Sequence, residues 1–439
     1  MSYRIGVLAL GYLGATHAAC MAELGFEVMG LDIVEEKVQA LSEGRVEIFE
    51  PDLEPLIRKH HESGQLRFTT SYDEIAEFAD VFFICVGTPQ RDGEYAADLS
   101  QVNRCIEDLI PRLTGSALVV GKSTVPVGTA ARVEQRIAEL AQPNTDVELA
   151  WNPEFLREGF AVEDTLRPDR LVLAPRSERA EKILREVYAS PIEQGSPVVT
   201  CDFPTAELVK GAANAFLSTK ISFINAMSEL CDVAGADVTK LADALGYDER
   251  IGRKHLDAGI GYGGGCLPKD LRSFMARAGE LGVGNAFGFL REVDEINQRR
   301  RQKVVDIASE LLGGQWTGKR VAALGAAFKP NTDDIRDSPA LNVAGRIHLH
   351  GAQVSVYDPK AMANARREFP TLRYADSVQD ACRGAHIVLH LTHWQEFRNL
   401  NPEELGQVVA NRVILDARNN LDADAWRAAG WTYRGLGRP

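Results

Sequence analysis

Two patterns of strand, glycine turn, helix and strand, at Arg4–Asp32 and Arg320–Asp358, flank a proline-free run from Thr205 to Val233. Together they predict an α/β fold: two Rossmann-like doubly wound domains joined by a long central helix. A chain of 439 residues exceeds what one hydrophobic core supports, which agrees with that division. The expected boundaries are 1–203 for the first sheet domain, 204–312 for a central helical domain and 313–439 for the second sheet domain.

The first pattern opens with Arg4-Ile5-Gly6-Val7-Leu8-Ala9-Leu10, whose unbroken apolar character fits a parallel strand buried on both faces. Gly11-Tyr12-Leu13-Gly14 turns it into a helix reaching about Leu24, and Glu27-Val28-Met29-Gly30-Leu31 is a second strand ending on Asp32. Glycines in such a turn admit a pyrophosphate, the helix N-terminus favours its charge, and an acid about 20 residues on accepts ribose hydroxyls. A dinucleotide is therefore expected on Gly11, Gly14 and Asp32. With Glu35 and Glu36 close behind, Asp32 would repel a 2′-phosphate, so NAD is favoured over NADP. The fingerprint is imperfect, because Ala9 stands where its first glycine belongs.

Three later loops follow apolar segments: Gly87-Thr88-Pro89, the run Gly121–Thr129 with Thr124 in it, and Asn152-Pro153-Glu154-Phe155-Leu156-Arg157-Glu158-Gly159. Ligands of open α/β sheets bind at the carboxyl edge of the strands. Thr88 and Thr124 fit that use and fit equally as helix N-caps. A carboxylate in the third loop is either catalytic or solvated. In the central run, Lys210 and Asn214 are four residues apart and share a helix face. A lysine beside an amide can hold a developing oxyanion; a plain surface pair is the alternative. Phe216, Leu217, Ile221, Phe223 and Ile224 make this helix apolar on several sides, which predicts burial between domains and against another subunit.

The most distinctive stretch is Gly259-Ile260-Gly261-Tyr262-Gly263-Gly264-Gly265-Cys266-Leu267-Pro268-Lys269-Asp270. Glycine permits close approach of a ligand to backbone, and a run of glycines is costly to order, so the pattern marks a binding loop. Positive charge at Lys269 favours a thiolate, which makes Cys266 a candidate nucleophile, and Asp270 a group to hold a water or orient the lysine. A small buried cysteine at a tight turn is the plainer alternative.

The second pattern comprises Arg320–Gly325, a helix over Ala340–His350, and Gln353–Asp358, with further strands at His386–Leu391 and Arg412–Asp416. Its turn, Gly325-Ala326-Ala327-Phe328-Lys329-Pro330, lacks the glycine trio, and an aromatic beside a lysine suits a phosphorylated nucleotide rather than a second dinucleotide. Arg336 adds a charge able to meet phosphate. A net charge of −13 argues against nucleic acid, which calls for clustered lysine and arginine. The seven cysteines form no CxxC pair and no metal is expected. No uncharged span approaches the ~18 residues of a membrane helix, and a cytoplasmic protein is expected.

In combination, Ile84-Cys85-Val86-Gly87-Thr88-Pro89, Asn152–Gly159, Asn214–Asn225, the Cys266 loop and Phe328–Asp334 resemble the UDP-glucose/GDP-mannose dehydrogenase family of nucleotide-sugar dehydrogenases from end to end. The resemblance implies four-electron oxidation of a sugar C6 alcohol, with UDP-glucose favoured by Pro168-Asp169-Arg170; dTDP-glucose, GDP-mannose or another UDP-sugar stays open. It implies Cys266 as nucleophile, Lys210 and Asn214 as oxyanion and substrate ligands, Asp270 with Thr124 holding water, and Glu154 assisting thioester hydrolysis. Gly11, Tyr12, Leu13, Gly14, Asp32, Lys37, Thr88, Thr124, Glu158, Lys269 and Arg336 would line NAD. Phe155, Leu156, Arg157, Arg250, Tyr262, Gly263, Phe328 and Lys329 would line the nucleotide sugar, Arg250 from a second subunit. A homodimer, or an even multiple, is implied around the central helix. Besides Ala9, the departures are Gly211 in place of an aromatic, Gly265 in place of a serine and Ala226 in place of an acid. A non-catalytic protein binding NAD or a nucleotide sugar is the alternative of another class.

Overall fold

The computed structural model describes residues 3–438. These fall into two compact units, Met1–Ala213 with Arg272–Leu281, and Asn214–Leu271 with Gly282–Pro439. The first unit is built on eight strands: β1 (Arg4–Leu8), β2 (Glu27–Leu31), β3 (Leu66–Thr69), β4 (Val81–Ile84), β5 (Ser116–Gly121), β6 (Asp146–Trp151), β7 (Leu171–Pro175) and β8 (Val198–Thr200). Their order is β3-β2-β1-β4-β5-β6-β7-β8. Every pair is parallel except β6 with β7. From Ile5 to Leu8, β1 is buried at every position, as expected of a central parallel strand covered by helices on both faces.

The second unit repeats the plan with six strands: β9 (Arg320–Leu324), β10 (Gln353–Tyr357), β11 (Arg373–Tyr374), β12 (Ile387–His390), β13 (Val413–Asp416) and β14 (Thr432–Gly435). Their order is β11-β10-β9-β12-β13-β14, all parallel. In each sheet the first strand is flanked by the second and fourth, so the chain reverses its winding there and opens a crevice at the strand ends.

The central helix runs through Phe203–Ala234, 32 residues or about 48 Å. It starts earlier than Thr205 because Pro204 sits in the first turn, where an amide hydrogen has no helical acceptor. It ends before Gly235, whose φ of 71° is the left-handed cap a glycine supplies freely. Within one chain the helix is buried along one face and exposed along another. Ser218, Ser222 and Asn225 are buried, whereas Phe216 is 66%, Phe223 50% and Leu230 59% exposed. Small polar residues thus face the chain's own core, and an apolar stripe at seven-residue spacing faces outward.

Candidate active site

In the first unit the chain leaves β1 through Ala9, whose φ is 71°, a left-handed conformation that costs an alanine what it does not cost a glycine. Ala9 keeps it because its amide donates to Leu31 O at 2.8 Å. A Cβ on Gly14 would collide with the Ala9 carbonyl, so the first helix, Tyr12–Glu23, packs against the turn only with glycine there. Gly11 has no side-chain cap bond and open space around its Cβ direction, which leaves the turn room for a pyrophosphate. Asp32 is buried and accepts from the Leu10 amide at 2.7 Å, the Val34 amide at 3.1 Å and Lys37 Nζ at 2.8 Å. A carboxylate offers about four acceptor positions, so ribose hydroxyls are still accommodated. These residues fit NAD. Leu13 packs on the core behind the turn, and Tyr12 gives its hydroxyl to Glu50, a buried residue the sequence did not single out.

Thr88 Oγ1 donates to Thr124 O at 2.7 Å, so these two threonines tie the loops after β4 and β5 together instead of capping helices. In the third loop, Glu154 Oε1 meets Lys210 Nζ at 3.0 Å and Oε2 accepts the Leu156 amide at 2.8 Å. The Phe155 ring lies between two cations, Arg170 at 3.9 Å and Lys210 at 5.5 Å. Arg157 pairs with Asp164 through two nitrogens at 2.9 and 2.6 Å. Glu158 is buried. Glu207, one turn before Lys210, accepts the amides of Gly128 and Ala130 at 2.7 and 2.6 Å and so ties this part of the central helix to the segment after β5. Gly211 takes its place by packing: a Cβ there would stand 2.7 Å from the Phe274 ring, which supplies the missing aromatic from another segment.

Beneath this loop sits a second buried lysine. Lys122 Nζ donates to Asn152 Oδ1 at 2.9 Å and to Tyr188 OH at 3.3 Å, and Tyr188 OH donates to the same Asn152 oxygen at 2.6 Å. Burial pushes the Lys122 ammonium down to about 8.

In the second unit, Cys266 stands immediately before the helix Leu267–Glu280, whose N-terminal end favours negative charge. It is the exposed one of the seven cysteines; Cys201 is half-buried and the other five are buried. Asp270, in the first turn of that helix, accepts Asn214 Nδ2 at 2.6 Å on one oxygen and Lys269 Nζ at 2.6 Å on the other. The glycine loop ahead of Cys266 is gripped by its backbone. Asn225 Oδ1 accepts the Gly259 amide at 2.8 Å, and Arg300 Nε donates to Gly259 O at 3.0 Å. Arg418 Nη1 donates to Gly261 O at 3.1 Å, and Asn297 pairs with both the amide and the carbonyl of Tyr262 at 2.8 and 3.0 Å. The same Arg418 reaches Phe328 O at 3.1 Å. A Cβ on Gly264 would stand 2.7 Å from the Phe328 ring, one on Gly263 would strike Asp337 O, and one on Gly265 would strike the Arg336 guanidinium. The Arg336 guanidinium beside Gly265 is paired with Asp334 at 2.7 Å.

Lys329 lies 5.3 Å from the Phe328 ring centre, and Tyr262 is buried. Arg250 pairs with Asp248 and its side chain is 88% exposed in this single chain. In the second sheet's turn, Asp358 accepts the amides of Ala326 and Ala327 at 2.8 and 3.0 Å, so those donors are spent within the protein. The gripping residues Asn297, Arg300 and Arg418 were missed: the first two stand in a charged helical run that resembles a solvated face, and Arg418 lies in the turn after β13.

Sequence profiles of the UDP-glucose/GDP-mannose dehydrogenase family match most of the chain in three parts: its NAD binding domain at residues 3–192, its central domain at 204–299 and its UDP binding domain at 322–423. The chain is 39% identical to a UDP-glucose 6-dehydrogenase of Rhizobium meliloti, across 99% of this chain and 100% of the relative. It is 38% identical to a UDP-glucose 6-dehydrogenase of Bacillus subtilis, across 99% and 97%. Among solved structures it is similar to a UDP-glucose dehydrogenase from Pyrobaculum islandicum, with 36% identity, a TM-score of 0.91 and coverage of 100% of this chain and 98% of that one.

Proposed function

The chain belongs to the UDP-glucose/GDP-mannose dehydrogenase family, and on that premise we propose that it oxidises the C6 alcohol of UDP-glucose to the carboxylate of UDP-glucuronate. The observation that carries this reading is Cys266, an exposed thiol at a helix N-terminus behind a glycine loop held rigidly by its backbone. A binding protein without chemistry has no use for such a thiol.

NAD, when bound at the Gly11–Gly14 turn and Asp32, supplies the hydride acceptor for both oxidations. The chain's own residues handle protons and the covalent step. The alcohol loses a hydride and gives its hydroxyl proton to solvent as it becomes an aldehyde, and the Cys266 thiolate adds to the carbonyl carbon to form a thiohemiacetal. Lys210 and Asn214, one turn apart on the central helix, are suited to stabilise its oxyanion. Loss of the second hydride leaves a thioester on Cys266. Water then attacks the acyl carbon, the C–S bond breaks, and the products are the acid and the free thiolate. Glu154 is the base proposed to take the proton of that water, with Asp270 and Thr124 holding it. Phe328, Lys329, Tyr262, Gly263, Leu156 and Arg157 are proposed for the nucleotide sugar, and Lys269, Arg336, Glu158, Thr88, Lys37 and Tyr12 for NAD.

The functional division follows as 1–203 for NAD, 204–312 for the central catalytic and dimerising part, and 313–439 for the nucleotide. The outward stripe of Phe216, Phe223 and Leu230 supports a homodimer through the central helix, with Arg250 offered to the partner. Among the described residues no helix is long and apolar enough to cross a membrane. A cytoplasmic location is proposed on the thiol content and the substrate.

The test is NADH formation by purified protein with UDP-glucose, dTDP-glucose, UDP-N-acetylglucosamine and GDP-mannose in parallel. Two NADH per UDP-glucose consumed, with the highest kcat/KM of the four, is expected. A higher kcat/KM for another sugar would overturn the assignment of UDP-glucose.

A further inference from the structure

Glu50 lies far in sequence from every motif above, yet its side chain is the meeting point of two of them. It is 4% exposed. Its Oε2 accepts the Gly159 amide at 2.6 Å and the Tyr12 hydroxyl, and its Oε1 accepts the Ala161 amide at 2.7 Å. The Gly159 amide is also 2.9 Å from Tyr12 OH, which closes a three-membered ring of contacts. Gly159 has φ 81°, so its amide direction depends on a conformation that side-chain-bearing residues avoid. A buried carboxylate is costly unless its oxygens are filled, and here donors from two separate segments fill them. One segment is the first residue of the helix after the dinucleotide turn. The other is the end of the loop that carries Glu154 and Glu158.

We propose that Glu50 is a positioning residue: by tying Tyr12 to Gly159 and Ala161 it fixes the Asn152–Gly159 loop onto the dinucleotide turn, so that NAD affinity depends on a carboxylate that never touches NAD. The inference rests on the NAD assignment for this turn. The chemistry calls for an acid. Glutamine at the same position has a single acceptor oxygen and presents an NH2 group to donors that need an acceptor, and aspartate falls one methylene short of both segments.

The experiment measures NAD binding calorimetrically, and KM for each substrate, on the full chain as wild type, Tyr12→Phe, Glu50→Gln and the double variant. Wild type binding NAD validates the premise; failure to bind would sink the NAD assignment itself, a result distinct from failure of the tie. Glu50→Gln is expected to weaken NAD binding about tenfold, Tyr12→Phe about threefold, and the double variant no more than Glu50→Gln alone, the signature of two groups acting as one unit. KM for UDP-glucose should rise less than KM for NAD, since the tied loop also carries Leu156 and Arg157 but only the dinucleotide side holds Tyr12 itself. The proposal is overturned if Tyr12→Phe binds NAD as wild type does, if the two effects multiply, or if KM for UDP-glucose rises as much as or more than KM for NAD, as in general loosening of the fold. Should Glu50→Gln fail to fold, Gly159→Ala, which disturbs the amide that Glu50 accepts and leaves Tyr12 in place, is expected to weaken NAD binding, and NAD affinity equal to wild type would overturn the proposal.

Discussion

Lys210 Nζ and Glu154 Oε1 form an ion pair at 3.0 Å in which the side chains are only 6% and 11% exposed. The pair links the central helix to the loop after β6, and it ties the proposed oxyanion ligand to the proposed base. Glu154→Gln keeps an oxygen for Lys210 and removes the base. The hydride steps should survive and hydrolysis should not. About two NADH per active site are expected in a burst, followed by a stall with the sugar held covalently on Cys266 and visible as added mass on intact protein. Cys266→Ala should show neither burst nor adduct, and turnover of Glu154→Gln at the wild-type rate would refute the hydrolytic role.

Ala9 occupies a left-handed conformation at φ 71°. Ala9→Gly removes a steric cost of about 1 kcal/mol from the folded state, partly offset by the greater freedom of the unfolded chain. A small net stabilisation, below about 1 kcal/mol, is expected in urea unfolding of the NAD-free protein. A loss of stability would show that the alanine methyl contributes packing beyond its backbone cost.

Lys122 gives a pH dependence whose sign follows from its depressed value of about 8 against 10.5 for the ordinary side chain. Below pH 8 both folded and unfolded chains hold the proton and the full cost of burying the charge is present. Between pH 8 and 10.5 only the unfolded chain holds it, so stability from this group rises with pH, by up to about 3 kcal/mol. Lys122→Met lacks this gain. The stability difference, wild type minus Lys122→Met, should therefore increase from pH 8 to pH 10.5, measured by thermal unfolding of both proteins in matched buffers; a flat difference would contradict it.

Phe216 and Phe223 lie on the outward stripe of the central helix, 66% and 50% exposed. Phe216→Asp with Phe223→Asp should convert a dimer to monomers in light scattering at micromolar concentration, since a charge placed in an apolar interface is left without a partner. A wild-type monomer would remove the proposed dimer at once.

The inner strands of both sheets were legible because parallel strands covered on two faces are written as unbroken apolar runs, and Ile5–Leu8 and Ile387–Leu389 are such runs. Cys266, Lys210 and Asn214 were legible because their chemistry shows in residue type and local spacing. The supports were not. Arg300 is wholly buried inside a run of three arginines that reads as a solvated face, and its partners, the Gly259 carbonyl and the Glu229 carboxylate, lie 41 and 71 residues away. Glu50 is separated from Gly159 by 109 residues, a distance over which no periodicity carries information. Gly211 read as a departure until Phe274 was found filling its space.

The reversal of direction between β6 and β7 has a consequence for the loop that follows β6. A parallel β7 would have required the chain to cross back to the opposite edge of the sheet through a connection of a dozen residues or more. Because β7 runs antiparallel, with Trp151 opposite Ala174, the segment 152–170 begins and ends at one edge. Its two ends are held at neighbouring strands, so the closure part of the chain entropy is already spent, and the spread of conformations open to Glu154 and Glu158 is narrowed by topology before any side chain makes a contact.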